Sequence, residues 1–320
     1  MEDKDRMLAQ LSKDGIAGNA GIYKYLQTFL DSYYLNNSSP KPDVSEVQKK
    51  NNQVDQNNNK VAAPKTDVAI IVAVPNEKDG VYSAFGLTRD LSKKFDLLEQ
   101  YRFDYVQFEC AGLNIALLIQ PNMGMTQSSS LTTRAILALQ PKLVAMVGIC
   151  AGRKDKVQLG DIVIASNVFD YTAGKRYIDH FGPRPRSYPI DDSLAGYIVG
   201  SVIDNHELIG KIIDGYQGER PKHQITIQFK PLASGTAVID DPQVLEEIVK
   251  TQDDLVGIDM EAYALAVSAN ILRTKWMVIK TVQDFADGEK TETENGIRNF
   301  AAFSSAKLLQ LILSDLSNYI

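Results

Sequence analysis

From Asp67 to its C-terminus, the chain alternates short apolar runs with glycine, proline and polar residues. Short apolar runs between turn-forming residues predict buried strands, and longer stretches with apolar residues three and four apart predict helices. Because the two patterns alternate, we expect an α/β fold with a central mixed sheet covered on both faces. The predicted strands are Val68–Val74, Tyr105–Glu109, Ile115–Gln120, Leu143–Gly148, Asp161–Asn167, Ile225–Lys230, Leu255–Asp259 and Trp276–Val282, and the predicted helices are Ser128–Leu139, Glu261–Leu272 and Ile297–Leu316.

The first 65 residues have a different pattern. Residues 1–36 show a helix-compatible spacing of apolar and aromatic residues, whereas residues 37–65 form a polar, asparagine-rich tract that lacks the side chains of a core. We therefore divide the chain into an N-terminal helical element (1–36), a polar linker (37–65) and a main domain (66–320). The helical element is either a packing or oligomerisation element or a recognition module for a protein partner.

Composition narrows the class of protein. The chain has 320 residues, 44% of them hydrophobic and 23% charged, which is enough for one large core and an appendage. Its formal charge of −6 argues against nonspecific nucleic-acid binding. Cys110 and Cys150 lie in apolar surroundings, and neither they nor the histidines show metal-ligand spacing, so we expect buried thiols, a reducing compartment and no metal or cofactor. With no membrane-length apolar run and no leader pattern, we expect a cytosolic protein.

An acidic residue closely follows the last predicted strand. Asp284 comes two residues after Val282, at the end of the run that begins at Trp276. Ligands of open α/β sheets bind beyond the carboxyl ends of the strands, so this carboxylate is a candidate for catalysis. Aspartate at a strand end also serves as a turn former or helix N-cap, and the position alone leaves both interpretations open.

Four other segments fall at comparable positions, namely Val74–Glu77, Met146–Gly152, Ala233–Ile239 and Gly257–Ala262. Together with Thr281–Asp284, in this order, they resemble the nucleoside phosphorylase superfamily, most closely its methylthioadenosine/S-adenosylhomocysteine nucleosidase and purine nucleoside phosphorylase branches. The resemblance covers about residues 67–318. It implies a three-layer α/β/α sandwich that assembles as a homo-oligomer.

The resemblance also implies residue roles. Asp284 matches the family's catalytic acid, although Gln283 replaces the usual serine, and Glu77 matches the residue that aligns the water. Asp259-Met260-Glu261 matches a motif whose glutamate binds the ribose hydroxyls and whose methionine packs on the sugar. The base pocket matches Ser234–Ile239, where Val238 replaces an aromatic residue and weakens base stacking. The substrate-binding residues expected from these segments are Gly148, Ile149, Ser234, Val238, Ile239, Asp259, Met260 and Glu261, and Arg298 matches an arginine that assists the acid in phosphorylases.

The chemistry explains these residue types. Cleavage of a purine N-glycosidic bond passes through an oxocarbenium-like sugar, and the departing base needs a proton at N7. A carboxyl group in a partly dry pocket can supply that proton near neutral pH, which suits Asp284. Without the resemblance, Glu77 would instead be interpreted as a solvated turn residue.

The nucleophile is either water or phosphate. Phosphorylases of the family hold phosphate with arginine and serine side chains, and here Met146 and Ile149 occupy two of those positions. An apolar pair cannot bind a dianion, so hydrolysis is favoured. Arg153 and Lys78 lie close enough in sequence to keep phosphorolysis as the alternative.

A cationic segment, Lys175–Arg186, follows the strand predicted at Asp161–Asn167. In the family this region approaches the 5′ side of the substrate, so Arg176, Arg184 and Arg186 are candidates to bind a 5′-phosphate. The alternative is a solvated loop or a contact with a neighbouring subunit.

These inferences predict a cofactor-independent hydrolase that releases the base of an adenine-type nucleoside or nucleotide. The alternatives are a phosphate-dependent phosphorylase, an AMP or ATP nucleosidase acting as a regulated defence effector, and a nucleoside sensor without turnover. The effector hypothesis rests on analogy with antiphage systems that use this fold.

Overall fold

The computed structural model describes residues 65–88, 96–98, 103–287 and 292–320, with the backbone alone at 96–98 and 292–295. The predicted N-terminal helical element lies outside these residues, as does the predicted linker except for Lys65. Both therefore stay predictions.

A ten-stranded mixed sheet forms the centre of the described chain. Its central strands are buried along their whole length or nearly so, as expected for strands covered on both faces. Two further short strands form a separate hairpin. The strands are β1 (Val68–Val72), β2 (Asp96–Leu98), β3 (Phe103–Cys110), β4 (Leu113–Ile119), β5 (Leu143–Gly152), β6 (Ile162–Asp170), β7 (Gly174–Arg176), β8 (Phe181–Pro183), β9 (Ser187–Pro189), β10 (Ile227–Ser234), β11 (Gly257–Asp259) and β12 (Lys275–Asp284).

Half of this sheet closes on itself. The strand order is β11-β10-β6-β12-β5-β1-β4-β3-β2, β9 pairs with β6, and β7 pairs with β8 in the hairpin. The strand β11 also pairs with the end of β5, where Gly257 is opposite Gly152. This extra pairing brings the carboxyl ends of β5, β10, β11 and β12 together around one opening, with β1 next to β5.

Helices cover the sheet in two groups. The helix α1 packs against α7, which also lies on β12 and β5, and α2 packs against α6. With the sheet between these pairs, the fold is the expected three-layer α/β/α sandwich. The helices are α1 (Pro75–Phe85), α2 (Met125–Leu139), α3 (Asp192–Tyr197), α4 (His206–Asp214), α5 (Pro242–Val249), α6 (Ala262–Ile271) and α7 (Glu292–Leu316), and a π-helical segment (Ile198–Val202) follows α3.

The predicted strands and helices are all present, with shifted ends. The segment around Glu77, expected as a loop, is instead the first turn of α1, with Pro75 at its first position. Proline is common at that position because its fixed φ suits a helix and its missing N–H is not needed there. Of the two cysteines expected to be buried thiols, Cys150 is buried and Cys110 is only partly buried.

The described residues contain neither a membrane-length helix nor a metal-binding cluster. No helix among them is long and apolar enough to cross a bilayer. No group of histidine, cysteine and carboxylate side chains in the same part of the chain is arranged to hold a metal ion.

Candidate active site

A cavity of about 230 Å³ lies at the opening where the strand ends meet. Most of its wall comes from residues at or just beyond the carboxyl ends of β1, β5, β10, β11 and β12, which is where ligands of α/β sheets bind. Nine of the residues predicted for the site line it, namely Glu77, Ile149, Val238, Ile239, Asp259, Met260, Glu261, Asp284 and Arg298.

Glu77 is held by backbone N–H groups. Its Oε2 accepts hydrogen bonds from the N–H of Ala73 at 2.6 Å and of Val74 at 3.2 Å, and its Oε1 accepts one from Ile149 at 3.0 Å. The side chain is only 2% exposed, so Glu77 is not a solvated turn residue. A Cβ at Gly148 would lie 1.9 Å from Glu77 Oε1, which means that Gly148 leaves the room for this carboxylate without lining the cavity itself.

Asp259 is positioned by a buried serine. Ser234 Oγ donates to Asp259 Oδ1 at 2.6 Å and accepts a hydrogen bond from the N–H of Tyr263 at 2.9 Å. The other carboxylate oxygen of Asp259 accepts from the N–H of Ala262 at the start of α6, at 3.0 Å. Ser234 is thus a support behind the cavity wall rather than part of it.

Glu261 joins the starts of two helices. Its Oε1 accepts a hydrogen bond from the N–H of Gly124 at 2.7 Å, and its backbone oxygen accepts one from Ser128 Oγ at 3.1 Å. Burial raises the pKa of Glu261 to about 7, and the nearby carboxylates Asp259 and Glu77 also raise it, against the lowering effect of Lys280 and the Gly124 N–H. Near neutral pH this carboxyl group is therefore protonated in part of the molecules.

Lys280 is the central cation of the site, and sequence reasoning missed it. It is fully buried, and its Nζ lies 3.2 Å from Asp259 Oδ2 and 3.9 Å from both Glu77 Oε1 and Glu261 Oε2. These three carboxylates raise the pKa of Lys280 despite its burial. A lysine in the middle of the apolar strand β12 was the available signal, since charged residues are rarely fully buried unless paired.

Asp284 ends β12 beside Gln283. Gln283 Nε2 donates to Asp284 Oδ2 at 2.6 Å, and both side chains line the cavity. The amide of Gln283, which stands where the family has a serine, thus occupies one carboxylate oxygen of Asp284. Arg298 lines the same cavity from α7.

The remaining wall is mainly apolar. Val238 is 64% exposed, and sequence reasoning missed Met123, Cys150 and Tyr171. Burial raises the pKa of the Cys150 thiol, so it lines the wall as a neutral group. No motif marked Met123 or Tyr171, whereas Cys150 lies within the segment Met146–Gly152 and was expected only as a buried thiol.

None of the three arginines predicted to bind a 5′-phosphate is among the described residues that line this cavity. Arg176 lines a second cavity, and its guanidinium lies 5.8 Å from the centre of the Phe181 ring. Arg184 donates to Tyr177 Oη at 3.3 Å, and Arg186 lies close enough to Tyr263 to lower its pKa against the opposing effect of burial. The cationic segment is the β7–β8 hairpin and the residues after it.

Comparison with known proteins agrees with this geometry. The sequence pattern described as "Phosphorylase superfamily" matches residues 67–314. The uncharacterized protein y4jS of Sinorhizobium fredii is 34% identical over 205 residues, which cover 62% of this chain and 49% of that protein. ATP nucleosidase Cap17 of Escherichia coli is 24% identical over 249 residues, which cover 73% of this chain and 49% of Cap17. The chain thus spans about half the length of these two relatives.

A solved structure shows the same fold. The 5′-methylthioadenosine/S-adenosylhomocysteine nucleosidase of Neisseria meningitidis, in complex with methylthio-immucillin-A, aligns with a TM-score of 0.59 at 19% identity. The alignment covers 78% of this chain and all of that one (100%).

Proposed function

The chain belongs to the phosphorylase superfamily, and from that premise we propose that it is a nucleosidase that hydrolyses the N-glycosidic bond of an adenine-type nucleoside or nucleotide. The observation that carries the proposal is one cavity whose wall holds Glu77, Glu261 and Asp284 together. The relatives and the solved structure are named as nucleosidases, with the exception of y4jS.

In the proposed reaction, Asp284 donates a proton to N7 of the base while the bond between C1′ and N9 breaks. The bonding electrons leave with the base, and the sugar becomes oxocarbenium-like. Glu77 orients a water molecule whose oxygen adds to C1′, and the proton of that water passes to Glu77. The products are the free base and the sugar with a hydroxyl group at C1′.

The charge of the cluster suits this transition state. Three carboxylates surround one ammonium group, so the cluster is negative on balance beside the place where the sugar becomes cationic. Preorganised charges of opposite sign at a developing charge are usually the largest contribution to catalysis. Glu261 and Met260 hold the ribose from the same wall, where Glu261 exchanges hydrogen bonds with the hydroxyl groups.

Water is the favoured nucleophile because the cavity offers little to a phosphate dianion. Met146 is fully buried, and Ile149 contributes an apolar side chain at the wall. Among the described residues that line the cavity, Arg298 is the cation. A single exposed arginine is a weak substitute for the several charge-assisted hydrogen bonds that hold phosphate in proteins.

A nucleotide substrate is the second candidate. It is supported by the name of Cap17, an ATP nucleosidase, and by the position of Arg298 at the cavity. In this version the chain is a regulated effector whose residues 1–36 receive a protein partner. Homo-oligomeric assembly and a cytosolic location belong to both versions of the proposal.

The test is base release from adenosine, methylthioadenosine, S-adenosylhomocysteine, inosine, AMP and ATP, each with and without phosphate. We expect free base and free sugar without phosphate, and the preferred 5′ group separates the two candidates. Formation of a sugar 1-phosphate that depends on added phosphate would show a phosphorylase instead. Tight binding of these compounds without base release would show a sensor.

A further inference from the structure

A second cavity of about 720 Å³ adjoins the candidate active site. It lies between the β7–β8 hairpin and α5, and its lining includes Arg176, Phe181 and Ile248. Tyr171 is the one described residue that lines both cavities. We therefore interpret its side chain as the partition between them.

The ring of Tyr171 is fixed against the segment that follows β10. Its hydroxyl group donates to the backbone oxygen of Ala237 at 3.3 Å, and its backbone N–H donates to the oxygen of Ser234 at 3.2 Å. Burial raises the pKa of Tyr171 to about 12, so the phenol stays a neutral donor at physiological pH.

Gly235 is what allows this placement. A Cβ at Gly235 would lie 2.0 Å from Cζ of Tyr171 and 2.2 Å from its Oη. These distances are far shorter than any contact between real atoms, so a larger residue at 235 would displace the ring. The ring and the glycine together form one element of the cavity wall.

We propose that Tyr171 closes the base end of the active-site cavity, contributes the aromatic surface that Val238 lacks, and sets the largest base that the cavity accepts. The inference rests on the proposed function, because Asp284 and the Ala237–Ile239 segment mark the base end only if the ligand is a nucleoside. The observation specific to this inference is the position of Tyr171 between the two cavities.

The surrounding side chains explain why a ring is needed. At this end the wall consists of Ala237, Val238 and Ile239, which have no π-face, and Val238 is largely exposed. Nucleobases stack favourably on aromatic side chains, and loss of one such contact costs about 1–3 kcal/mol, which is roughly 10-fold in affinity at about 1.4 kcal/mol. Tyr171 is the aromatic residue that the described part of the cavity places there.

The experiment measures binding of adenine and of N6-benzyladenine by calorimetry to the full chain and to four variants. Tyr171→Ala removes the partition, and Tyr171→Phe keeps the ring. Tyr177→Ala is the matched control, because Tyr177 lies in the β7–β8 hairpin that follows Tyr171 and is outside both cavity linings. The fourth variant, Tyr171→Ala with Val238→Phe, supplies an aromatic ring at position 238 instead. Tyr171→Leu replaces Tyr171→Ala if the alanine variant does not fold, as judged by circular dichroism.

We expect Tyr171→Ala to bind adenine about 10-fold more weakly and N6-benzyladenine at least 10-fold more tightly than the parent chain, because the benzyl group enters the second cavity. Tyr171→Phe and Tyr177→Ala should match the parent within about 3-fold, and the double variant should recover adenine binding. Equal affinities of Tyr171→Ala and Tyr177→Ala for both bases would overturn the inference, as would a parent chain that binds neither base.

The outcome is separable from that of the proposed function. If the parent binds adenine but hydrolyses no nucleoside, the proposed reaction fails and the role of Tyr171 is still decided by the binding data. If the parent hydrolyses nucleosides and Tyr171→Ala keeps the same base-size preference, the inference fails and the proposed reaction stands.

Discussion

Replacing Lys280 by methionine tests how the carboxylates of the site are held. The change removes the one ammonium group that lies within 3.9 Å of Glu77, Asp259 and Glu261, in a place without solvent access. Methionine has a similar length and no charge, so packing is largely kept and the loss is mainly electrostatic.

The expected loss of stability follows from the burial of Lys280 and its carboxylate partners. Removing one partner of a buried ion pair costs about 3–5 kcal/mol, because the remaining charge stays buried without compensation. In a domain of this size each kcal/mol lowers the melting temperature by about 2–4 °C, so the expected decrease is about 6–20 °C. An exposed pair offers the contrast: Lys211 and Glu207 are 2.6 Å apart and largely exposed, and Lys211→Met should cost about 0.5 kcal/mol or less.

The pH dependence of the stability loss shows whether the loss has an electrostatic cause. Without Lys280, the clustered carboxylates hold protons more tightly in the folded state than in the unfolded state, so the folded variant loses stability as pH rises. Urea unfolding of both variants and the parent at pH 5 and pH 8 measures this. The deficit of Lys280→Met should be larger at pH 8 than at pH 5. The reasoning is refuted if the deficit is the same at both pH values or no larger than that of Lys211→Met.

Three other variants test the same geometry. Gly148→Ala should displace the Glu77 carboxylate, because its Cβ would lie 1.9 Å from Oε1, and lower kcat by about 100-fold; unchanged kcat would show that Glu77 needs no fixed position. Because the displaced carboxylate also loses backbone hydrogen bonds in a buried place, the same variant should lose about 1–3 kcal/mol in urea unfolding. Ser234→Ala removes the 2.6 Å bond to Asp259 and should cost about 1–3 kcal/mol in urea unfolding, whereas a neutral result would show that Asp259 is held without it. The pKa of Glu261 is raised from 4.5 to about 7, so the folded state binds more protons than the unfolded state between these pH values, and stability falls as pH rises through them. Glu261→Gln should remove this decrease, which amounts to about 3 kcal/mol at most. A pH dependence that persists in the variant would assign the decrease to another group.

The positions of the long strands were open to prediction from sequence because they depend on local patterns. The alternation of apolar runs and turn residues predicted the long strands and the helices α2, α6 and α7. The short elements were not predicted because they carry too little local pattern. The strands β7, β8 and β9 have three residues each, and α5 buries only Ile248 among its described side chains. Such elements form through tertiary contacts rather than through their own periodicity.

The residues of the candidate site also divide into those that a local motif predicted and those that no motif marked. Glu77, Glu261 and Asp284 were reached through motifs that each follow one strand. Lys280 and Tyr171 carry no motif. Lys280 joins the site because β12 pairs with β5 and places it opposite Gly148, and Tyr171 joins it from the end of β6 through its hydrogen bond to Ala237. Contacts of this kind depend on packing between distant segments, which a single sequence does not display.

A comparison of two leaving groups tests the roles proposed for Asp284 and Glu77 most directly. Hydrolysis of the preferred adenine nucleoside and of 4-nitrophenyl β-ribofuranoside should be measured with the parent, Asp284→Asn, Glu77→Gln and Asp287→Asn, the last as a control three residues from Asp284 and outside the cavity lining. Nitrophenolate leaves without a proton, whereas a purine base needs one.

The account predicts that Asp284→Asn loses about 100-fold or more with the nucleoside and little with the nitrophenyl riboside, that Glu77→Gln loses activity with both, and that Asp287→Asn loses neither. Equal losses of Asp284→Asn on both substrates, or an active Asp284→Asn enzyme with the nucleoside, would contradict the assignment of Asp284 as the acid that releases the base.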